Sequence, residues 1–420
     1  MNIWIKNARI IDKESEFDGK VLDIFIHKGI IELKKNDSLK YKEISGEDLC
    51  ISPGWFDMRA NFADPGYEHK EGIQNGIKAA IQGGFTGVAF VPNTKPVVQG
   101  KDTIQYLIKS NSNPLIKLYP IAAVSTDNKG EELTEMMDLH YAGAIAFSDG
   151  NVPLLHSGLL TRALQYVQPF GGLIIQYADD RKISQFGQMN EGVVSTYMGL
   201  KGIPNLAEEV IIARDLSLLR YTGGKIHFTK ISTKESVGLI ANAKKEGLNV
   251  TCDVAIPNLI FTEDELKTYD TNYKVCPPLR TKEDLKALWK GLENDTIDAI
   301  VTDHEPQDEE SKKLEFDQAD FGMIQLETAF SAFISCGYES KLNLIVNKMT
   351  YGPKSILGLD LNTISEGSEA NLTLFSSKST WNYNLHSKIS KSANSPFLET
   401  QMKGKVIGVI KGENQHFNAF

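Results

Sequence analysis

The chain has 420 residues, of which 41% are hydrophobic and 24% charged, a balance that supports a large buried core and excludes a disordered or fibrous protein. Its 45 basic and 54 acidic residues leave a net charge of −9, which argues against a nucleic-acid partner because such binding rests on concentrated Lys and Arg. Four cysteines without CxxC spacing, no apolar run approaching the roughly 18 residues of a membrane span and no signal-like start predict a cytoplasmic protein with no membrane partner.

The first 50 residues alternate apolar and polar positions, as in Val21-Leu22-Asp23-Ile24-Phe25-Ile26, the period of short antiparallel strands. From Ile51 the pattern changes. GVAFVP, KLYPIAAV, GAIAFS, GGLIIQY, KIHFTKIS, NVTCDV and DAIVTDH are short, nearly continuous apolar runs separated by segments of helical period. Such runs suit strands buried on both faces, and this many strand-helix repeats favour a closed (β/α) barrel over an open sheet. Within it, TKEDLKALWKGLE predicts a helix capped by Thr281 with Asp284 three residues on, and STKESVGLIANAKKEG one opened by Ser232 and Thr233 and stopped at Gly247. Near the end, ANLTLF and KGKVIGVIKGE return to strand alternation. The expected architecture is a distorted (β/α)8 TIM barrel over residues 52–355 and a small β-sandwich domain built from both termini, residues 1–51 and 356–420.

Several stretches carry a family resemblance in order: PGWFDMRANFADPG at 53–66, GGFTGVAFVPNTKPV at 83–97, MNEG at 189–192, CPPLRTKEDLKALWKGL from 276, DAIVTDHEP at 298–306, FGMIQLET at 321–328 and SKSANSPF at 390–397. Together they resemble a dihydroorotase of the amidohydrolase superfamily, over roughly residues 50–415. The resemblance implies the barrel and flanking sandwich just described. It also implies reversible cyclisation of carbamoyl aspartate to dihydroorotate in pyrimidine biosynthesis, with one or two zinc ions at the barrel mouth. A fold does not by itself license an activity, so each position matters.

By that resemblance the first strand should end in a His-x-His pair followed by a substrate-binding arginine; here it reads Arg59-Ala60-Asn61-Phe62-Ala63. A guanidinium cannot coordinate a cation, and Asn61 offers only a carbonyl oxygen. On the fourth strand, where the family has a bridging group, Asp149 remains, followed by Gly150. Tyr177 stands for the histidine of the fifth strand and Lys230 for that of the sixth. Asp303 keeps the position of the family's proton shuttle, and Asn93 that of a substrate contact, whereas the asparagine expected before PPLR is Cys276. Of the eight histidines, His227 alternates onto the other face from Lys230 and reads as a packing residue.

These substitutions predict a catalytically silent dihydroorotase homologue, a structural or regulatory partner of aspartate transcarbamoylase, resembling family members that lack activity. Asp303 and Asp149 are the residual carboxylates of the metal positions, no confident metal or cofactor is expected, and Arg59 and Lys230 should pair with those aspartates in place of the metal. A cationic pocket of this kind suits a small anionic ligand. The alternative is an active dihydroorotase or related cyclic amide hydrolase with a divergent or mononuclear zinc site. Family resemblance implies a homo-oligomer, a dimer, and the acidic and basic loop from Glu305 to Phe321 reads as solvated and mobile.

Overall fold

The computed structural model describes residues 2–418. Eight parallel strands form the barrel: Trp55–Ala60, Phe85–Phe90, Lys117–Ala122, Ala146–Phe147, Ile174–Tyr177, Ile226–Thr229, Val250–Ala255 and Ala299–Val301, each paired with the next in this order. We refer to them as the first to eighth barrel strands. Closure comes just past the strand ends, where the Asn61 N–H donates to the His304 carbonyl (2.8 Å) and Ala60 bridges His304. A cluster drawn from most strands, including Phe56, Met58, Ala89, Ile121, Ala146, Ile175, Ala255 and Val301, fills the interior. The barrel is therefore a packed core with its working surface at the C-terminal strand ends.

Helices cover the outside with one apolar stripe each. In Lys282–Glu293, Leu288, Trp289 and Leu292 are buried, and the expected cap is present: Thr281 Oγ1 accepts from the Asp284 N–H (3.2 Å) and the Asp284 carboxylate accepts from the Thr281 N–H (3.3 Å). Such a cap contributes about 1 kcal/mol. Helix Lys234–Lys245 is capped by Thr233, whose Oγ1 accepts from the Ser236 N–H (3.1 Å), while Gly247 turns the chain away at φ +83°. Ser232 is instead drawn inward, its N–H donating to Glu208 Oε1 (2.8 Å).

Both ends of the chain join a second sheet of eight strands. Its pairing is mixed: Ile3–Ile10 runs antiparallel to Val21–His27 but parallel to Lys42–Ile44 and Leu49–Pro53, and Asn371–Tyr383 and Thr400–Lys411 continue it. The sheet folds back on itself, the Ile31 N–H donating to Ser368 O (2.9 Å) and the Ala370 N–H to Gly29 O (2.8 Å). That return encloses Ile5, Ile10, Ile24, Ile51, Leu374 and Ile410 in a core of its own. The chain passes from this sheet into the barrel at Gly54, where a Cβ would lie 2.2 Å from Thr86 Oγ1, a separation no side chain tolerates.

Candidate functional site

Barrel closure brings four of the expected residues to one place. Arg59 is the penultimate residue of the first strand, Tyr177 ends the fifth, Lys230 follows the sixth and Asp303 lies just past the eighth. Asp303 receives a cation on each oxygen: Arg59 Nε on Oδ1 at 3.1 Å and Lys230 Nζ on Oδ2 at 3.0 Å. Their side chains are 4%, 4% and 11% exposed for Arg59, Lys230 and Asp303, so water screens little of the attraction. Lys230 Nζ also donates to the Cys276 carbonyl (2.7 Å) and sits 4.9 Å from the centroid of the Tyr177 ring. Burial, helped by the Arg59 charge, pulls the Lys230 amine below its ordinary value, against the opposing pull of Asp303. Burial raises the Tyr177 phenol well above 10, and its hydroxyl rests 3.0 Å from Cys276 Sγ.

Asn151 and Glu305, neither of which the sequence marks out for the site, complete the network together with Asn61. Arg59 Nη2 donates to Asn151 Oδ1, and Asn151 Nδ2 donates to Glu305 Oε2 (3.1 Å). Asn61 Nδ2 donates to the other Glu305 oxygen (2.8 Å), while its own Oδ1 accepts the Ala63 N–H (2.8 Å). Asn61 is thus turned to a carboxylate with its donor, and its carbonyl oxygen is spent on the backbone. The one available signal for Asn151 was its place two residues after Asp149, on the loop that follows a barrel strand.

The placement of Asp149 requires a correction. It does not join Asp303 at the mouth, and neither Arg59 nor Lys230 pairs with it. Asp149 Oδ1 accepts the Val124 and Ser125 N–H groups (2.9 Å each), and its other oxygen accepts from Ser125 Oγ. Two backbone donors on a neighbouring loop satisfy this carboxylate without any cation, and burial raises it to about 6. Asn93 is likewise committed to local structure: its Nδ2 donates to Asp149 O (3.0 Å) and its Oδ1 accepts the Asn151 N–H (2.8 Å). Gly150 sits so close that a Cβ there would lie 1.8 Å from Asn93 Oδ1.

Neither remaining barrel histidine faces a ligand. His227 is fully buried between Asp253 Oδ2 and Thr251 Oγ1, each 2.8 Å away. His304 Nδ1 accepts from the Gln325 and Leu326 N–H groups (3.1 and 3.3 Å), which places its proton on Nε2, 3.5 Å from Glu71. Among the described residues no group of three or more His, Cys, Asp or Glu side chains could hold a metal ion. The donor set at the mouth does not fit zinc: two cations occupy ligand positions, Tyr177 is held as a neutral phenol, and both Asp303 oxygens are taken.

What remains open is a cavity of about 150 Å³ bounded by Tyr177, Arg181, Lys230, Cys276, Asp303, Glu305, Gln307 and Phe321. Arg181 reaches it from the fifth-strand loop, pairing with Asp179 (3.1 Å) and donating to Asn151 O (2.7 Å). The loop from Glu305 to Phe321 borders the cavity; its charged side chains are mostly exposed, as composition predicts, but Lys312 is buried. Lys312 Nζ donates to the carbonyls of Asp320 and Gly322 (2.9 and 3.1 Å), and Lys274 Nζ to those of Phe316 and Ala319 (2.5 and 2.6 Å). Wrapping the loop around these amines buries them, Lys274 to 2% and Lys312 to 5% exposure, so their apparent solvation by composition is misleading. Burial lowers Lys274 to about 8, and burial with repulsion from Lys274 lowers Lys312 to about 7.

Comparison with known proteins places this chain in a family. A dihydro-orotase-like family model matches residues 49–236, and an amidohydrolase family model matches residues 190–414. A dihydroorotase of Geobacter metallireducens is 41% identical over 98% of both chains. One of Acetivibrio thermocellus is 39% identical over 98% of this chain and 97% of its own. Among solved structures, an L-hydantoinase from Arthrobacter aurescens superposes with a TM-score of 0.84 at 21% identity, covering 98% of this chain and 95% of its own. A dihydropyrimidinase from Brevibacillus agri does so at 0.80 and 20%, covering 99% and 95%. At that identity the structural likeness speaks to fold alone.

Proposed function

This chain belongs to the dihydroorotase group of the amidohydrolase family, and we propose that it serves pyrimidine biosynthesis as a non-hydrolytic member, a structural or regulatory partner of aspartate transcarbamoylase. The observation that carries this reading is Asp303 clamped between Arg59 and Lys230. A metal entering there would have to displace two buried cations from the one carboxylate that neutralises them, at a cost of several kcal/mol. With hydrolysis set aside, what the chain retains is the full barrel and its surface, which is what a scaffold needs. The cationic side of the cavity, Lys230 and Arg181, is suited to a small anion that would tune the assembly. A thermal shift on adding carbamoyl aspartate or dihydroorotate would support this ligand; no shift would remove it.

A second reading, a hydrolase of dihydroorotate or a related cyclic amide with a divergent or mononuclear zinc site, is favoured by relatives near 40% identity that carry the name dihydroorotase. Two measurements separate the readings. Dihydroorotate hydrolysis with and without added zinc, alongside calorimetric zinc titration, is expected to show no zinc-dependent turnover and no stoichiometric tight binding; either result in the positive establishes the second reading. Mixing the purified chain with aspartate transcarbamoylase of the same organism is expected to give a stable complex with altered turnover. A lone monodisperse protein without effect on transcarbamoylase would end the partner assignment.

A further inference from the structure

Lys230 lines the cavity with its amine bonded to Asp303 and the Cys276 carbonyl, and it is held there at some cost. Both Lys230 (φ 57°) and its partner Asp303 (φ 49°) adopt the left-handed backbone conformation that a Cβ disfavours, worth roughly 1 kcal/mol or more each. The Lys230 N–H is fastened in that conformation by Asp253 Oδ1 at 2.6 Å. These two strained residues are bonded to each other and line the same cavity. Among the described residues Lys230 is the one lysine lining this cavity, with Arg181 a second cation on the same wall and the Tyr177 ring between them, 4.9 Å from Lys230 Nζ and 6.0 Å from the Arg181 guanidinium.

We propose that Lys230 is a covalent capture site for a small 2-oxo acid, which it binds as an imine at Nζ with the acid's carboxylate set against Arg181. The space, about 150 Å³, admits only a compact molecule. Lys230 supplies the nucleophile because only it carries a primary amine, while Arg181, which spends Nε on Asp179 and Nη2 on the Asn151 carbonyl, offers its remaining N–H groups to the carboxylate. The steps balance without any outside reagent. Lys230 Nζ passes a proton along its 3.0 Å hydrogen bond to Asp303 Oδ2, and the free amine adds to the carbonyl carbon to give a carbinolamine. Asp303 returns the proton to the carbinolamine hydroxyl, which leaves as water, and the C=N bond forms as a protonated imine. The proposal stands apart from the scaffold reading, since it needs neither hydrolysis nor a protein partner.

The test uses the full chain, glyoxylate as the probe, sodium cyanoborohydride to reduce the imine, and peptide mass mapping. Lys230 is expected to take up one reduced adduct before the exposed Lys282 and Lys313, whose side chains are 75% and 76% accessible. Propionaldehyde, which has the carbonyl without the carboxylate, is expected to label Lys230 more weakly, and Arg181→Gln to bring glyoxylate labelling down to the propionaldehyde level. Lys230→Arg should abolish the adduct. Because the decisive map is made on the unmutated protein, a variant that fails to fold leaves it intact. Glyoxylate adducts at Lys282 and Lys313 with Lys230 unmodified would overturn the proposal, and equal labelling of Lys230 by both probes would overturn the assignment to a 2-oxo acid.

Discussion

Buried lysines are accommodated in two different ways, one at the barrel mouth and one beneath the loop from Glu305 to Phe321. At the mouth, Lys230 faces a full carboxylate, Asp303, shared with Arg59. On the rim, Lys274 and Lys312 are bonded to backbone carbonyls, with Asp317, Asp320 and Asp270 acting only through space. The first arrangement binds three strand ends together through charge; the second wraps a loop around dipoles. Burial lowers both rim amines, to about 8 for Lys274 and about 7 for Lys312, with no carboxylate bonded to either, and an amine that loses a proton keeps two N–H groups for its two carbonyls.

The comparison is broken most sharply at Asp303. Asp303→Asn strands two cations in a nearly dry site and is expected to cost about 3–5 kcal/mol in a denaturant melt, whereas replacing the whole triad by Arg59→Met, Asp303→Leu and Lys230→Met should restore most of that loss. If the single and triple variants were equally unstable, charge pairing would not be what holds the strand ends.

The rim responds to pH instead. Lys312 has a folded-state value of about 7 against an ordinary 10.5, so between these the unfolded chain binds a proton that the folded chain lacks, and stability rises with pH across that window. Below pH 7 both states are protonated and the slope vanishes. Lys312→Met is expected to shrink this rise, most clearly between pH 7 and 8, while leaving the part above pH 8 that Lys274 and the other buried lysines contribute. At pH 8, where the amine is largely neutral, it should cost about 1–3 kcal/mol by leaving two buried carbonyls without donors, with faster hydrogen exchange confined to the rim loop. A variant whose stability still climbs from pH 7 to 10 as the parent's does would clear Lys312 of the effect.

The smallest change separates ring from hydroxyl. Tyr177→Phe keeps the aromatic face under Lys230 and removes only the contact with Cys276 at 3.0 Å, so the expected loss is about 0.5–1 kcal/mol. A loss as large as that of Asp303→Asn would show that the phenol, and not the carboxylate, anchors Lys230.

Much of this was legible beforehand. Apolar runs of strand length separated by helical periods announced the barrel, and the capping pair Thr281 and Asp284 sits where the sequence places it. Positions 59, 61, 177 and 230 could be read as departures from the metal-binding pattern because each lies beside a recognisable strand end. Asp149 could not be placed, since its partners, the Val124 and Ser125 N–H groups, lie on another loop and have no side-chain signature. The rim loop misled for a related reason: a lysine in a charged stretch looks solvated until the backbone that surrounds it is known.

The sequence by itself determined the barrel architecture and helix caps such as Thr281 and Thr233, because periodicity and capping act over a few residues. Tertiary structure alone decided which charges meet. Arg59 and Asp303 are 244 positions apart in the chain and Lys230 and Asp303 73. Only closure of the barrel between its first and eighth strands brings them within hydrogen-bond distance while turning Asp149 away to a neighbouring loop.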